Sequence, residues 1–191
     1  MPRIHVCSLA NLPATVRATG ASHVVTLISA ETVVPRPEGV AADNHLFLGF
    51  NDIVAPTEGL VPPAMAHVER LIGFVRSWDR QQPMVIHCYA GVSRSTAGAF
   101  IALAALDPTR DEHALAAEIR RLSPSATPNI RMVGFADALL ERDGRMVAAI
   151  EAIGRGQDAY EGVPFHIEAG IQAGVQVLFH HVAAKGVEGT H

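Results

Sequence analysis

One stretch limits what this chain can fold into more than any other. Met84 to Ile86 is a short apolar run of the kind that forms a buried strand. It passes through His87 and Cys88 into the small-residue loop Tyr89-Ala90-Gly91-Val92-Ser93, and from Arg94 into a helical run ending near Leu106. A loop between a strand and a helix N-terminus has unpaired backbone N–H groups and the positive end of the helix behind it, which suits an anion. The amides of residues 89–94 are the expected cradle. Cys88 is expected at its mouth, held there as a thiolate by the converging amides, the helix end and a guanidinium. Arg94 closes the loop and can hold two oxygens of a tetrahedral oxyanion at once. A nucleophile and an oxyanion cradle in one loop are the requirements for moving a phosphoryl group onto sulfur.

The rest of the chain is expected to build a layered support. Ile4–Leu9, His23–Ser29 and Asn44–Phe50 read as strands, with a short helix from Asn11 to Gly20 after the first. Pro62 and Pro63 open a helix reaching Trp78, with Met65, Val68, Leu71, Ile72 and Val75 on one stripe. After the loop come helices over 94–106, 111–122, 129–141 and 144–153. Strands alternating with helices, followed by helices alone, predict an α/β fold. Its core would be a central, mostly parallel twisted sheet of four to five strands flanked by helices. In such sheets ligands sit at the carboxyl ends of strands, where Cys88 falls. The domain is expected over 1–154, with 155–191 as a C-terminal extension. Within that extension 160–167 reads as a strand, and Ile171, Val175, Leu178 and Val182 share a helical face weakened by Gly170 and Gly174.

Composition excludes several classes. The chain has 191 residues, with 15 basic against 19 acidic side chains. That balance argues against a nucleic-acid surface and against anchoring on anionic lipid. No apolar run is long enough to span a bilayer, and the N-terminus lacks a signal-peptide core. Cys7 and Cys88 are the only cysteines, which fits a reducing, cytoplasmic setting. Ten histidines include the adjacent His180 and His181, but none is spaced as in His-Glu-x-x-His, so no metal and no cofactor is expected.

His87-Cys88-x-x-Gly91-x-x-Arg94-Ser95 resembles the signature of the cysteine-based protein tyrosine phosphatase superfamily. The short chain is most similar to its compact, dual-specificity-like branch, including small bacterial members. The resemblance spans about Ile4 to Ile153 and is densest from Asn44 to Ser95. It implies a dual-specificity-phosphatase-like fold and hydrolysis of phosphate monoesters, on phosphotyrosine and on phosphoserine or phosphothreonine of proteins, through a cysteinyl-phosphate. It implies Cys88 as nucleophile, Arg94 as phosphate ligand, and Ser95 as the hydroxyl that stabilises the departing sulfur. A general acid is wanted on a loop upstream of the cysteine, and Asp52 matches best, with Asp43 and Glu58 as the other carboxylates nearby. His87 would orient the loop. Asn129, in Thr127-Pro128-Asn129, resembles an asparagine that holds it.

Plainer readings exist. Cys88 could be a structural thiol and Arg94 a helix-starting surface charge, although a loop with only Tyr89 and Val92 as bulky residues is poor core. Asp52 could be a turn former, and Asn129 or Ser95 a helix cap. Low-molecular-weight tyrosine phosphatases use a downstream Asp-Pro pair as acid, but Asp107-Pro108 follows the loop's helix directly and reads as its terminator. A phosphate-binding pseudophosphatase and a sulfurtransferase are the alternative functions. No Lys, Arg or His lies between Cys88 and Arg94, which suits a single phosphate monoester on a protein or small molecule. Cys7 would be the partner of an oxidised Cys88 if the two meet. Oligomeric state and physiological substrate are not legible.

Overall fold

In the computed structural model, which describes residues 1–170, the chain alternates strands and helices and then becomes helical. The order is β1 (Arg3–Ser8), α1 (Leu12–Thr19), β2 (His23–Ile28), β3 (His45–Gly49), α2 (Met65–Ser77), β4 (Met84–Cys88), α3 (Arg94–Leu106), α4 (Glu112–Leu122), α5 (Ile130–Leu139), α6 (Arg145–Ile153) and β5 (Phe165–Glu168). The sheet order is β3-β2-β4-β1-β5. The first four strands are parallel, and β5 pairs antiparallel with β1. The strand expected over 160–167 therefore forms at 165–168 and extends the sheet past residue 154. The expected helical face from Ile171 to Val182, and His180 and His181, lie outside the described residues.

Side chains alternate across a strand, and here the alternation sorts them into two cores. Ile4, Val6, Val25, Leu27, Met84 and Ile86 face the larger one, under α2, α3 and the helices beyond. Cys7, Val24 and Val85 face the smaller one with Leu12 and Val16 of α1. The central strand β4 is buried along its whole length, since it is covered on both faces and paired on both edges. Small residues in α3 allow close approach: a Cβ on Gly98 would stand 2.7 Å from Leu27 Cδ1 and 3.0 Å from Ile86 Cγ2. The α2 stripe buries Val68, Leu71, Ile72 and Val75, but Met65 lies at the first helical position and stays exposed.

Three buried charged side chains tie the helical layer together. Arg142 Nη1 lies 3.0 Å from Glu112 Oε1, and Nη2 donates to the Ala104 carbonyl at 2.8 Å. Asp137 accepts from the backbone N–H groups of Gly144 and Met146, joining α5 to α6. Among the described residues no helix is long and apolar enough to cross a membrane.

Candidate active site

The loop between β4 and α3 is built as its sequence requires. Gly91 takes φ +73°, a region open to glycine and costly for other residues. A Cβ there would also meet Cys7 C and Ser8 N of β1 at 3.0 Å. The loop is pinned from three sides: Leu9 N donates to Tyr89 O (3.1 Å), Thr127 N to Val92 O (2.9 Å) and Asn129 N to Ser93 O (3.4 Å).

Cys88 is 2% exposed and lies at the floor of the loop rather than at its mouth, because β4 is the central strand. Its sulfur is not surrounded by hydrocarbon alone. Gly91 N–H donates to Sγ at 3.2 Å, and Ser95 Oγ stands 3.1 Å from it. Arg94 is 6% exposed and is no surface charge. Its Nη1 donates to the Phe50 carbonyl at 2.8 Å, a partner invisible in the sequence because it comes from the end of β3. Its Nε lies 4.0 Å from Asp52 Oδ2 and is buried without a hydrogen-bond partner.

Asp52 is brought to the same place. Oδ1 accepts from Ser93 Oγ and from Asn129 Nδ2, each at 2.8 Å. Asn129 also caps α5, with Oδ1 accepting from Met132 N at 3.2 Å; its side-chain amide reaches the Asp52 segment, and its backbone N–H is what meets the Cys88 loop, at Ser93 O. Asp43 sits in the short 3₁₀ turn Ala42–Asn44 before β3, and Glu58 is exposed on the segment between β3 and α2. Asp107 stands just past α3 and accepts from Thr109, closing a turn. Tyr89 exposes its ring, so its part in the cradle falls to the backbone.

His87 is wholly buried on the opposite face from Cys88, and its Nε2 lies 2.7 Å from Thr26 Oγ1. Thr26 Oγ1 is also 2.8 Å from His45 Nε2. One hydroxyl proton serves one ring, so one imidazole presents an N–H to Thr26 and the other a lone pair. Burial lowers the His87 pKa to about 4, which leaves the ring neutral at physiological pH. Cys7 pairs in register with His87, and strand alternation sends it to that same face, away from Cys88. Burial pushes its thiol up to about 11, so Cys7 is poorly placed and too weakly acidic to resolve an oxidised Cys88.

A cavity of about 670 Å³ flanks the loop, with Asp52, Ser93, Asn129 and Arg155 on its walls. Cys88 and Arg94 do not line it. Among the described residues no three His, Cys, Asp or Glu side chains group as metal ligands.

Residues 56–122 match the protein-tyrosine phosphatase family model. The fold is similar to that of PTP-2 phosphatase from Cydia pomonella, with TM-score 0.56 and 18% identity over 71% of this chain and 84% of that one. DUSP15 superposes with TM-score 0.57 and 16% identity over 80% and 92%. Human DUSP28 gives 0.56 and 18% over 73% and 88%. No curated protein sequence matches the chain. The sheet, the loop and these likenesses place the chain in the fold shared by tyrosine and dual-specificity phosphatases. The family match covers about a third of the chain, and the likeness to the solved structures is one of fold. Asp52 and Asn129 fall outside the matched residues, so their assignments rest on geometry.

Proposed function

We propose that this protein hydrolyses phosphate monoesters, phosphotyrosine and with it phosphoserine or phosphothreonine on proteins, through a phosphocysteine at Cys88. The observation that carries the reading is the sulfur itself, which accepts the Gly91 N–H and stands 3.1 Å from the Ser95 hydroxyl, at the end of a strand and in the loop that the buried Arg94 closes. The unpartnered Nε–H of Arg94 is a buried donor that a phosphate oxygen would satisfy.

The proposed reaction has two steps. Sulfur attacks phosphorus, the S–P bond forms, and the P–O bond to the leaving group breaks. Asp52 supplies the proton to the leaving oxygen, and Oδ2 is the oxygen free for it because Oδ1 is held by Ser93 and Asn129. Water then attacks phosphorus, Asp52 takes its proton, and Ser95 Oγ–H stabilises the sulfur as it leaves. Within the loop Arg94 is the sole cationic side chain, which suits one phosphate group. Both cysteines are free and buried, which supports a reducing, cytoplasmic setting.

Hydrolysis of p-nitrophenyl phosphate without added metal tests the proposal. Activity blocked by vanadate and abolished in Cys88→Ser supports it. A wild-type protein that binds vanadate but releases no phosphate from any of the three phosphoamino acids is instead a phosphate-binding module.

A further inference from the structure

After α6 the chain turns back along the nucleophile loop before it enters β5. Arg120 gathers the carbonyls of Ile153 (2.8 Å), Gly154 (2.7 Å) and Ala126 (2.8 Å), which fixes the start of this return. Gly156 N donates to Thr127 Oγ1 and Gln157 N to Pro124 O, each at 3.0 Å. At its far end the Glu161 carboxylate accepts from the Ser8 hydroxyl and from Asn11 Nδ2, the latter at 2.7 Å. Asn11 stands at the N-cap of α1 but makes no side-chain cap, because its amide is turned to Ser8 and Glu161.

We propose that Gly162 and Glu161 are positioning residues for the Cys88 nucleophile, acting through the peptide that joins Ala90 to Gly91. Gly162 N–H donates to Ala90 O at 2.8 Å. The N–H of that same peptide is the Gly91 donor to Cys88 Sγ. A peptide unit is planar, with its carbonyl and its N–H pointing in opposite directions, so holding the oxygen from one side aims the proton at the sulfur on the other. Rotation of this peptide would break both bonds together. Gly91 has no room to shift, since β1 backbone lies behind it at 3.0 Å from a notional Cβ. On the other side, a Cβ on Gly162 would lie 2.5 Å from Gly91 O and 3.3 Å from Val92 Cγ2. The loop glycine is held between two backbones, and one of them comes from the return segment. Glu161 fastens that segment to the turn between β1 and α1, one residue before the contact.

The inference rests on Cys88 being the nucleophile, and the test is chosen to read the sulfur without turnover. The rate of Cys88 alkylation by iodoacetate is followed against pH in the full chain, with mass spectrometry locating the modified cysteine. Alongside it, kcat/KM for p-nitrophenyl phosphate is measured. Gly162→Ala is expected to move the alkylation profile to higher pH, because the thiolate loses an aimed donor. It is also expected to cut kcat/KM by about 10²-fold, the scale of an ångström-sized misplacement. A folded Gly162→Ala protein whose profile and kcat/KM stay within twofold of wild type overturns the proposal. Should Gly162→Ala not fold, Glu161→Ala carries the test: a shift in the same direction, restored by Glu161→Gln, supports the proposal. A Glu161→Ala profile that lies on the wild-type curve, or one that Glu161→Gln leaves shifted, overturns it. If the profiles shift while the wild-type protein hydrolyses nothing, positioning stands and the hydrolase reading falls.

Discussion

Asn129 Nδ2 stands 2.8 Å from Asp52 Oδ1, joining residues 77 positions apart beside the Cys88–Arg94 loop. The same side chain caps α5 through its other atom. Its two roles separate by substitution. Asn129→Ala loses both, so stability falls by about 1 kcal/mol for the cap, or roughly 2–4 °C in Tm for a chain of this size. Turnover falls by about 10-fold or more as Asp52 loses its hold. Asn129→Ser keeps a capping oxygen and loses the amide donor to Asp52, so Tm recovers and kcat does not. Thermal melts and steady-state kinetics on both variants check this, and a kcat that recovers together with Tm would mean Asn129 acts on the helix alone.

Asp52→Ala is expected to slow turnover by roughly 10²–10⁴-fold on an alkyl phosphate, the range for loss of a general acid. The loss shrinks on p-nitrophenyl phosphate, whose leaving group needs less help from a proton. Equal losses on the two substrates would assign Asp52 to holding the loop through Ser93 and not to proton transfer.

Acid should destabilise the fold through its buried imidazoles. His87 binds a proton near 6.5 when the chain is unfolded and only near 4 when folded, because burial penalises the cation. The unfolded chain therefore takes up the proton first. The neutral ring's contribution is intact above about 6.5 and is lost as pH falls toward 4. The full loss is on the order of 3 kcal/mol for this fully buried group, at about 1.36 kcal/mol per pKa unit. His5 is lowered to about 4, and His23 and His45 are lowered too, mainly by burial, so they share the sign. Tm measured from pH 7.5 to 4.5 should fall, and His87→Gln should flatten part of that slope. An unchanged slope would remove His87 from the account.

Arg142→Met leaves Glu112 buried without its main partner. The cost is about 3–5 kcal/mol, toward the lower end because Arg145 Nε lies 3.3 Å from the same carboxylate. Replacing both, Arg142→Met with Glu112→Leu, should recover most of it. Denaturant unfolding of the single and double variants decides, and a single variant near wild type would show that Arg145 suffices.

The fold was legible because its signals are local. The apolar run into Cys88, the proline pair that opens α2 and the cap at Asn129 each announce an element within a few positions. The site was legible where its residues sit in one loop, as Cys88, Gly91, Arg94 and Ser95 do. Contacts that the chain makes by returning from far away were not. The Phe50 carbonyl on Arg94, Thr26 between two histidines, and Gly162 against the loop are backbone or hydroxyl partners without a sequence pattern. Depth was misjudged for a related reason: nothing local says that β4 is the middle strand, so Cys88 reads as lying at a mouth when it forms a floor. The possible pairing of Cys7 with Cys88 fails on strand register, which appears only once β1 and β4 are known to be neighbours.

The antiparallel partner of β1 has a consequence for synthesis. Arg3 pairs with Glu168, so β1 is bonded along its outer edge by β5, which is translated more than 150 residues later. Until translation passes that point, the nascent chain carries an open row of amides and carbonyls, the kind of edge that recruits other chains. A stop codon or protease cut shortly before Phe165 would make that exposure permanent, and the product should accumulate in inclusion bodies even with every signature residue intact.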